Sequence, residues 1–346
     1  YYAEVLLTSR YIMQTIHPNP SLRLNIIGTG KGLPSRLVPS TEIDTLLGIK
    51  EGRTEKLSGL AQRYFLADDE SADTMQLQAA KNALTAAGIT IDDVDCVINA
   101  SGIDRQCIPF NAAHTLRLLK PARPIAAFDV NMTCLSFLRS LDLADSLLHK
   151  YPTILLISCD VASVGLDWND FHSSTIFGDG AAAAVIRSSE SGGVLTSKFE
   201  VHPEGYEFCT IPAGGYENHP SKHPESYVSQ AYFHMNGKKL YKLAAEAIPG
   251  FLDETLAQAD LTLADIDWIV PHQASRGALQ HIISRLKLDP AKIVDIFNTH
   301  GNQISASIPS ALHHLLTDFP VRSGDKVLLF GTSAGVGLGA LVWEKP

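Results

Sequence analysis

The sequence predicts an α/β protein built as two similar halves. Three observations carry this: apolar strand-like runs alternate with helix-like runs, the alternation restarts after a loop-rich middle, and a reactive residue follows a strand end in each half. With 346 residues the chain is long enough for about two domains or one large duplicated one. The expected organisation is an N-terminal extension over 1–22, a first half over 23–190 holding a nucleophilic Cys, and a second half over 191–346 holding a His and an Asn.

Leu24 to Ile27 reads as a strand running into Gly28-Thr29-Gly30, and Thr41 to Leu57 reads as a polar helix. Asp73 to Ala87 has apolar residues at helical spacing and closes at Gly88, a C-terminal cap signal. Val94 to Ala100 is a buried strand by its unbroken apolar character, followed by a helix around Ala112 to Leu119. Ile125 to Val130 is the next strand, then a helix from Cys134 to Lys150 with Leu135, Leu138, Leu141, Leu147 and Leu148 mostly on one side. Thr153 to Cys159 is β-rich, and Ile176 to Ile186 joins a Gly-Asp-Gly turn to an apolar strand.

Gly, Pro, His and Ser crowd the stretch from Ser188 to Tyr232, which reads as a connection. The theme then repeats. Lys238 to Ala259 is helical apart from Pro249-Gly250, Ile266 to Val270 is a strand ending at Pro271-His272, and Ala274 to Leu286 is a helix. Ile293 to Phe297 precedes a loop at His300 to Gln303, a helix through Ser310 to Leu316, and closing strands Lys326 to Phe330 and Leu338 to Trp343.

Composition excludes several classes. A formal net charge of -9 with no basic stripe argues against nucleic-acid binding. No apolar run is long enough to span a bilayer and no signal-peptide core opens the chain. The five cysteines (Cys96, Cys107, Cys134, Cys159, Cys209) show no CxxC pair, so neither a zinc site nor a disulfide framework is indicated and the expected location is the reducing cytoplasm.

Cys134 stands where a strand turns into a helix. A helix N-terminus offers unpaired N–H groups and partial positive charge, which favour thiolate and can hold an oxyanion. A lone cysteine is ordinarily a small buried hydrophobe, a lone His272 after WIVP a structural residue, and Asn302 in HGNQISAS a turn former.

Together these segments resemble the thiolase-fold condensing enzymes, and among them β-ketoacyl-acyl-carrier-protein synthase III. The segments NIIGTGKGLP, AFDVNMTC, IFGDGAAAAVI, WIVPHQAS and GNQISASIPSAL occur in that family's order, with His272 and Asn302 spaced as in the family. The resemblance runs from about Leu24 to Trp343. It implies a duplicated five-layer αβαβα thiolase-like fold, normally a homodimer, with Cys134, His272 and Asn302 as the catalytic set. Cys134 would take an acyl group from a thioester, with an oxyanion held by its own amide and by the FGTSAGVG loop near Thr332 or Ser333. A malonyl-carrier thioester would then lose CO2, His272 and Asn302 would hold the enolate oxygen, and the carbanion would attack the acyl group. The implied partners are an acyl carrier protein and a coenzyme A thioester, and no metal or redox cofactor is called for.

The departures lie at the substrate entrance. Arg53, Leu57 and Phe171 occupy positions where the family has a Trp and two Arg residues around coenzyme A, and Trp168 with Arg53 offers a different stacking pair. Gly277 takes the place of a carrier-binding Arg, leaving Lys242, Arg276, Arg285 and Lys287 as candidates for a basic patch. Ile108 replaces an aromatic that reaches into the partner's acyl tunnel, while Leu135 and Phe137 are expected to narrow the tunnel around Cys134. A second reading keeps the acyl-Cys but passes the acyl group to an alcohol, an amine or another acyl thioester. A papain-like hydrolase shares the order Cys, His, Asn but lacks this flanking pattern, and an acyl-binding scaffold would not need all three residues.

Overall fold

The computed structural model describes residues 23–346, so the expected extension over 1–22 lies outside the described residues. The first sheet is made of β1 (Arg23–Gly32), β2 (Cys96–Asn99), β3 (Ala126–Asp129), β4 (Thr153–Asp160) and β5 (Gly180–Ser189), in the order β1-β5-β4-β2-β3. The second contains β6 (Gly193–Val201), β7 (Trp268–Pro271), β8 (Lys326–Ser333) and β9 (Gly337–Glu344), in the order β7-β8-β9-β6. A single parallel bridge between Ile269 and Ile293 extends it beyond β7.

Taken from its own first strand, each sheet follows the same path. The first strand pairs antiparallel with the last, which pairs antiparallel with the fourth, which runs parallel to the second. In the first half the third strand is β3, parallel to β2; in the second its place is held by the bridge at Ile293.

Helices fill the layers around these sheets. Between them lie α3 (Ser136–Leu147) and α6 (Ser307–Asp318), whose Leu138, Leu141, Ile308 and Leu312 share one core with Ile98 and Leu156 of the first sheet and Leu329 and Leu341 of the second. On the outside of the first sheet lie α1 (Ala72–Ala86) and α2 (Asn111–Leu119); on the outside of the second lie α4 (Gly237–Ala257) and α5 (Arg276–Leu286). The result is five layers, αβαβα. Helix α1 sits unusually close to β1, because a Cβ at Gly28 or Gly30 would collide with the backbone of Ala83.

Several boundaries differ from the sequence expectation. The expected helix from Thr41 to Leu57 is two short helices, Ser40–Leu46 and Arg53–Ser58, separated by Gly48 and Gly52 at φ +61° and +80°, where the left-handed backbone ends regular helix. Pro249 does not interrupt α4, since Ile248, Phe251 and Leu252 on either side are anchored against the second sheet. The connection after Ser188 contains β6, a polar strand at the sheet edge, whose pattern is weak because only β9 covers it. Ile293 to Phe297, given no element type by the sequence, supplies a single bridge at Ile293 before a helical turn begins at Phe297.

Candidate active site

Cys134 lies ahead of α3 rather than inside it. Residues Thr133–Leu135 form one tight 3-10 turn and the α-helix begins at Ser136. Three bonds shape the approach: Asn131 Oδ1 accepts from the Thr133 amide at 2.9 Å, Ser136 Oγ accepts from the Met132 amide at 2.9 Å, and Ser136 Oγ donates to the Thr133 carbonyl at 2.7 Å. Thr133 is held at φ +48°, a conformation uncommon outside glycine.

The same turn occurs before α6. Asn302 Oδ1 accepts from the Ile304 amide at 2.9 Å, Ser307 Oγ accepts from the Gln303 amide at 2.9 Å, and Ile304 stands at φ +53°. Asn131 therefore corresponds to Asn302, Cys134 to Ser305 and Ser136 to Ser307. The signal was available as NMTCLS against NQISAS, two six-residue segments that begin with Asn and end with Ser.

His272 follows β7 directly, and its amide donates to the Phe330 carbonyl at 2.8 Å. Its imidazole is buried, with Nδ1 bonded to nothing among the described residues, and burial lowers its pKa to about 4, so it is neutral near pH 7. Gly331 of β8 lets it settle there, because a Cβ at 331 would stand 2.5 Å from the His272 Cβ. Asn302 is also buried; its backbone joins the first half through the Ile176 carbonyl at 2.8 Å and the Gly178 amide at 3.1 Å.

Cys134, His272, Asn302, Thr332 and Ser333 all line one cavity of about 1200 Å³. The wall beside Cys134 is apolar, built from Ile103, Leu166, Ile176, Phe177 and Phe233, with the last two packed edge to face at 5.2 Å. Cys134 rests as a thiol. Burial first, then the Asp160 carboxylate and Cys209, push it up to about 12, so the expected bias of the helix N-terminus toward thiolate is outweighed.

Leu135 and Phe137 do not line the cavity; both are fully buried in the central core. The tight turn leaves Thr133 and Cys134 on the cavity and directs Leu135 away from it, over the bare backbones of Gly331 and Gly339. Ile108 is 85% exposed and absent from the lining of its own chain's cavity. Arg53 is exposed and Trp168 packs edge-on against Phe65 at 6.1 Å over a separate groove, so no Arg53–Trp168 stack forms. Phe171 rests against His172, and Leu57 stands exposed at the cavity mouth.

Gly277 also lines the mouth, with nothing within 4 Å of a Cβ placed there. Arg276 is exposed with its stem over Gly59, and Lys242 makes an exposed pair with Glu246 at 4.0 Å. Arg285 and Lys287 are exposed at the far end of α5. Sequence reasoning passed over Asp160, Ser305, Asn131 and the cavity-lining thiol Cys209, none of which carries a recognisable signal alone. Among the described residues no group of His, Cys, Asp and Glu is arranged to hold a metal ion, and no helix is long and apolar enough to cross a membrane.

Two family models for 3-oxoacyl-[acyl-carrier-protein] synthase III match the chain, one over residues 128–203 and the C-terminal one over 256–345. The β-ketoacyl-[acyl-carrier-protein] synthase III of Granulibacter bethesdensis is 34% identical over 324 residues, 92% of this chain and 98% of the relative. That of Acidiphilium cryptum is 32% identical over 90% of this chain and 96% of the relative. Among solved structures, the 3-oxoacyl-[acyl-carrier-protein] synthase III of Aquifex aeolicus superposes with a TM-score of 0.83 at 26% identity, covering 93% of this chain and 99% of that one. The priming β-ketosynthase of the R1128 polyketide pathway shares the fold at a TM-score of 0.85 and 24% identity, over 94% of this chain and 96% of that one. With five layers, paired turns and near full-length likeness in agreement, the chain belongs to the β-ketoacyl-[acyl-carrier-protein] synthase III family.

Proposed function

We propose that the chain performs the condensation its family is named for, joining an acyl primer carried on Cys134 to a malonyl-carrier extender. One observation carries the reading: Cys134, His272 and Asn302 meet in a single cavity, delivered by equivalent turns and strand ends of the two halves, 23–190 and 191–346. In the first step the Cys134 sulfur forms a bond to the acyl carbon, the donor's thioester bond breaks, and the donor leaves as a thiol. The Cys134 proton ends on the departing sulfur, and the neutral His272 on the same cavity serves as a relay for it rather than as a resting base. The oxyanion is assigned to the Cys134 amide and to the Thr332–Ser333 end of β8.

In the second step the malonyl C–CO2 bond breaks and its electron pair becomes an enolate, held by His272 and Asn302. A neutral imidazole and an amide suit this, since decarboxylation needs donors at oxygen and no base. The carbanion attacks the acyl carbon and the Cys134 thioester breaks. Neither step changes an oxidation level in a way that needs a redox cofactor.

The proposed partners are an acyl carrier protein, met by Lys242 and Arg276 near the cavity, and a second copy of this chain. Exposed Ile108 and Phe110, at 85% and 49%, together with the half-buried edge strand β3, support the homodimer. The unformed Arg53–Trp168 stack favours a donor other than coenzyme A; a second reading of the acceptor keeps the acyl-Cys and passes the acyl group to an alcohol, an amine or another acyl thioester.

Incubation with acyl-coenzyme A and acyl-carrier donors, followed by intact mass, is expected to show an adduct lost in Cys134→Ala. Adducts that persist in that variant, or none with any donor, would overturn the acyl-enzyme step. Malonyl-carrier added to the loaded enzyme should release CO2 and a 3-oxoacyl product; turnover only with an alcohol or amine transfers the assignment to the second reading.

A further inference from the structure

Asp160 ends β4 with no solvent exposure and takes part in no ion pair among the described residues. Its Oδ1 accepts from the amides of Gly102 and Ile103, each at 2.9 Å. Its Oδ2 accepts from the Ser305 amide at 3.0 Å and from the Ser305 hydroxyl. A buried carboxylate without a cation is costly unless its donors are well placed, so four donors converging on two oxygens mark a site where geometry is being held.

These donors belong to the cavity wall, through Gly102 and Ile103, and to the Asn302 turn, through Ser305. Gly102 and Ile103 line the cavity, and Gly102 is wedged so tightly that a Cβ would lie 2.6 Å from Ile304 Cγ2 and 3.0 Å from the Thr133 carbonyl. Ser305 follows Asn302 by one turn, and the Asn302 side chain caps the Ile304 amide within it. Cys134 is the next residue after Thr133. A single carboxylate thus ties the wall to the Asn302 turn, and the wall residue it holds, Gly102, packs against the backbone of the Cys134 turn.

We propose that Asp160 is a positioning residue for the Asn302 turn, fixing Asn302 on the enolate side, and that it sets a negative charge behind the wall against which the Cys134 turn packs. Its first role rests on the condensing reading, and its second on the packing of Gly102, which Asp160 holds, against the carbonyl of Thr133 next to Cys134. The ionisable groups facing Cys134 are Asp160 and Cys209, with His272 on the same cavity; those facing Asp160 are Cys134 and Cys159. Burial raises the Asp160 carboxyl to about 6, so it is ionised at pH 7.5. Replacing it by Asn keeps the volume but aims an amide N–H at the Ser305 amide, which releases the Asn302 turn and removes the charge.

The test compares wild type, Asp160→Asn and Ser305→Ala in three assays: iodoacetamide alkylation of the Cys134 peptide against pH, acyl loading by intact mass, and CO2 release from malonyl-carrier protein. Asp160→Asn is expected to move the alkylation profile to lower pH and to lower CO2 release by on the order of 10²-fold, a misplacement effect, with acyl loading retained. Ser305→Ala is expected to slow CO2 release while leaving the alkylation profile in place, because the charge remains. An unmoved profile in folded Asp160→Asn, or equal losses in loading and CO2 release, overturns the proposal. If Asp160→Asn fails to fold, wild-type CO2 release from Ser305→Ala overturns it alone. A shifted profile in a protein whose wild type never decarboxylates malonyl-carrier would instead refute the condensing function.

Discussion

Gly331 is the smallest residue that the site depends on, and enlarging it by one methyl gives a sharp prediction. In Gly331→Ala the new Cβ would stand 2.5 Å from the His272 Cβ and 3.3 Å from Leu135 Cδ2. Carbon atoms in contact prefer about 3.5–4.0 Å, so His272 must yield by roughly 1 Å, because Leu135 behind it is fully buried in the central core. A shift of that size at a group that positions the reacting atoms costs on the order of 10²-fold. Overpacking adds about 1–3 kcal/mol of destabilisation. The assay is CO2 release from malonyl-carrier protein, run beside acyl loading of Cys134 and thermal unfolding, with Gly277→Ala as the control since its Cβ meets nothing within 4 Å. The expected result is a folded protein that loads its acyl group and releases CO2 about a hundredfold more slowly. Wild-type CO2 release from folded Gly331→Ala would refute the placement of His272 against β8.

Acid should destabilise the fold through His272. Burial lowers its pKa from 6.5 to about 4, so the unfolded chain binds more protons between those values and stability falls as pH drops through that window. In His272→Asn the difference in melting temperature between pH 7 and pH 5 should shrink; an unchanged difference would show that the ring is not buried neutral. At the apolar wall, Cys209→Leu fills space beside Cys134 and should lower kcat/KM for long primers more than for acetyl, read from a chain-length series. Equal losses across the series would remove Cys209 from the acyl path. Ile108→Asp places a charge on an 85% exposed apolar residue and should weaken self-association in sedimentation velocity, whereas an unaltered dimer would place the interface elsewhere.

The chemistry of this chain was more legible in its sequence than its geometry. Strands such as Val94 to Ala100 and Thr153 to Cys159 are buried on both faces, so their apolar runs are unbroken and easily read. Edge strand β6, covered on one side only by β9, keeps Thr, Ser, Lys and Glu and leaves no such trace. Cys134, His272 and Asn302, each ordinary alone, became legible together because they lie in the distinctive segments AFDVNMTC, WIVPHQAS and GNQISASIPSAL. Asp160 did not, since its role exists only when residues 102, 103 and 305 converge on it. Leu135 was misplaced for a similar reason: its room is made by Gly331 and Gly339, about two hundred residues further along the chain.

The matching turns before α3 and α6 have a historical consequence. If both halves descend from one ancestral half, that ancestor already owned the strained loop that ends a strand-side segment and launches a buried helix. The two copies turn different positions to the same cavity: the first presents the Cys134 thiol, whereas in the second the corresponding Ser305 hydroxyl turns inward onto Asp160 and Asn302 faces the cavity instead. One loop design thus serves a duplicated scaffold twice, once through its fourth residue and once through its first.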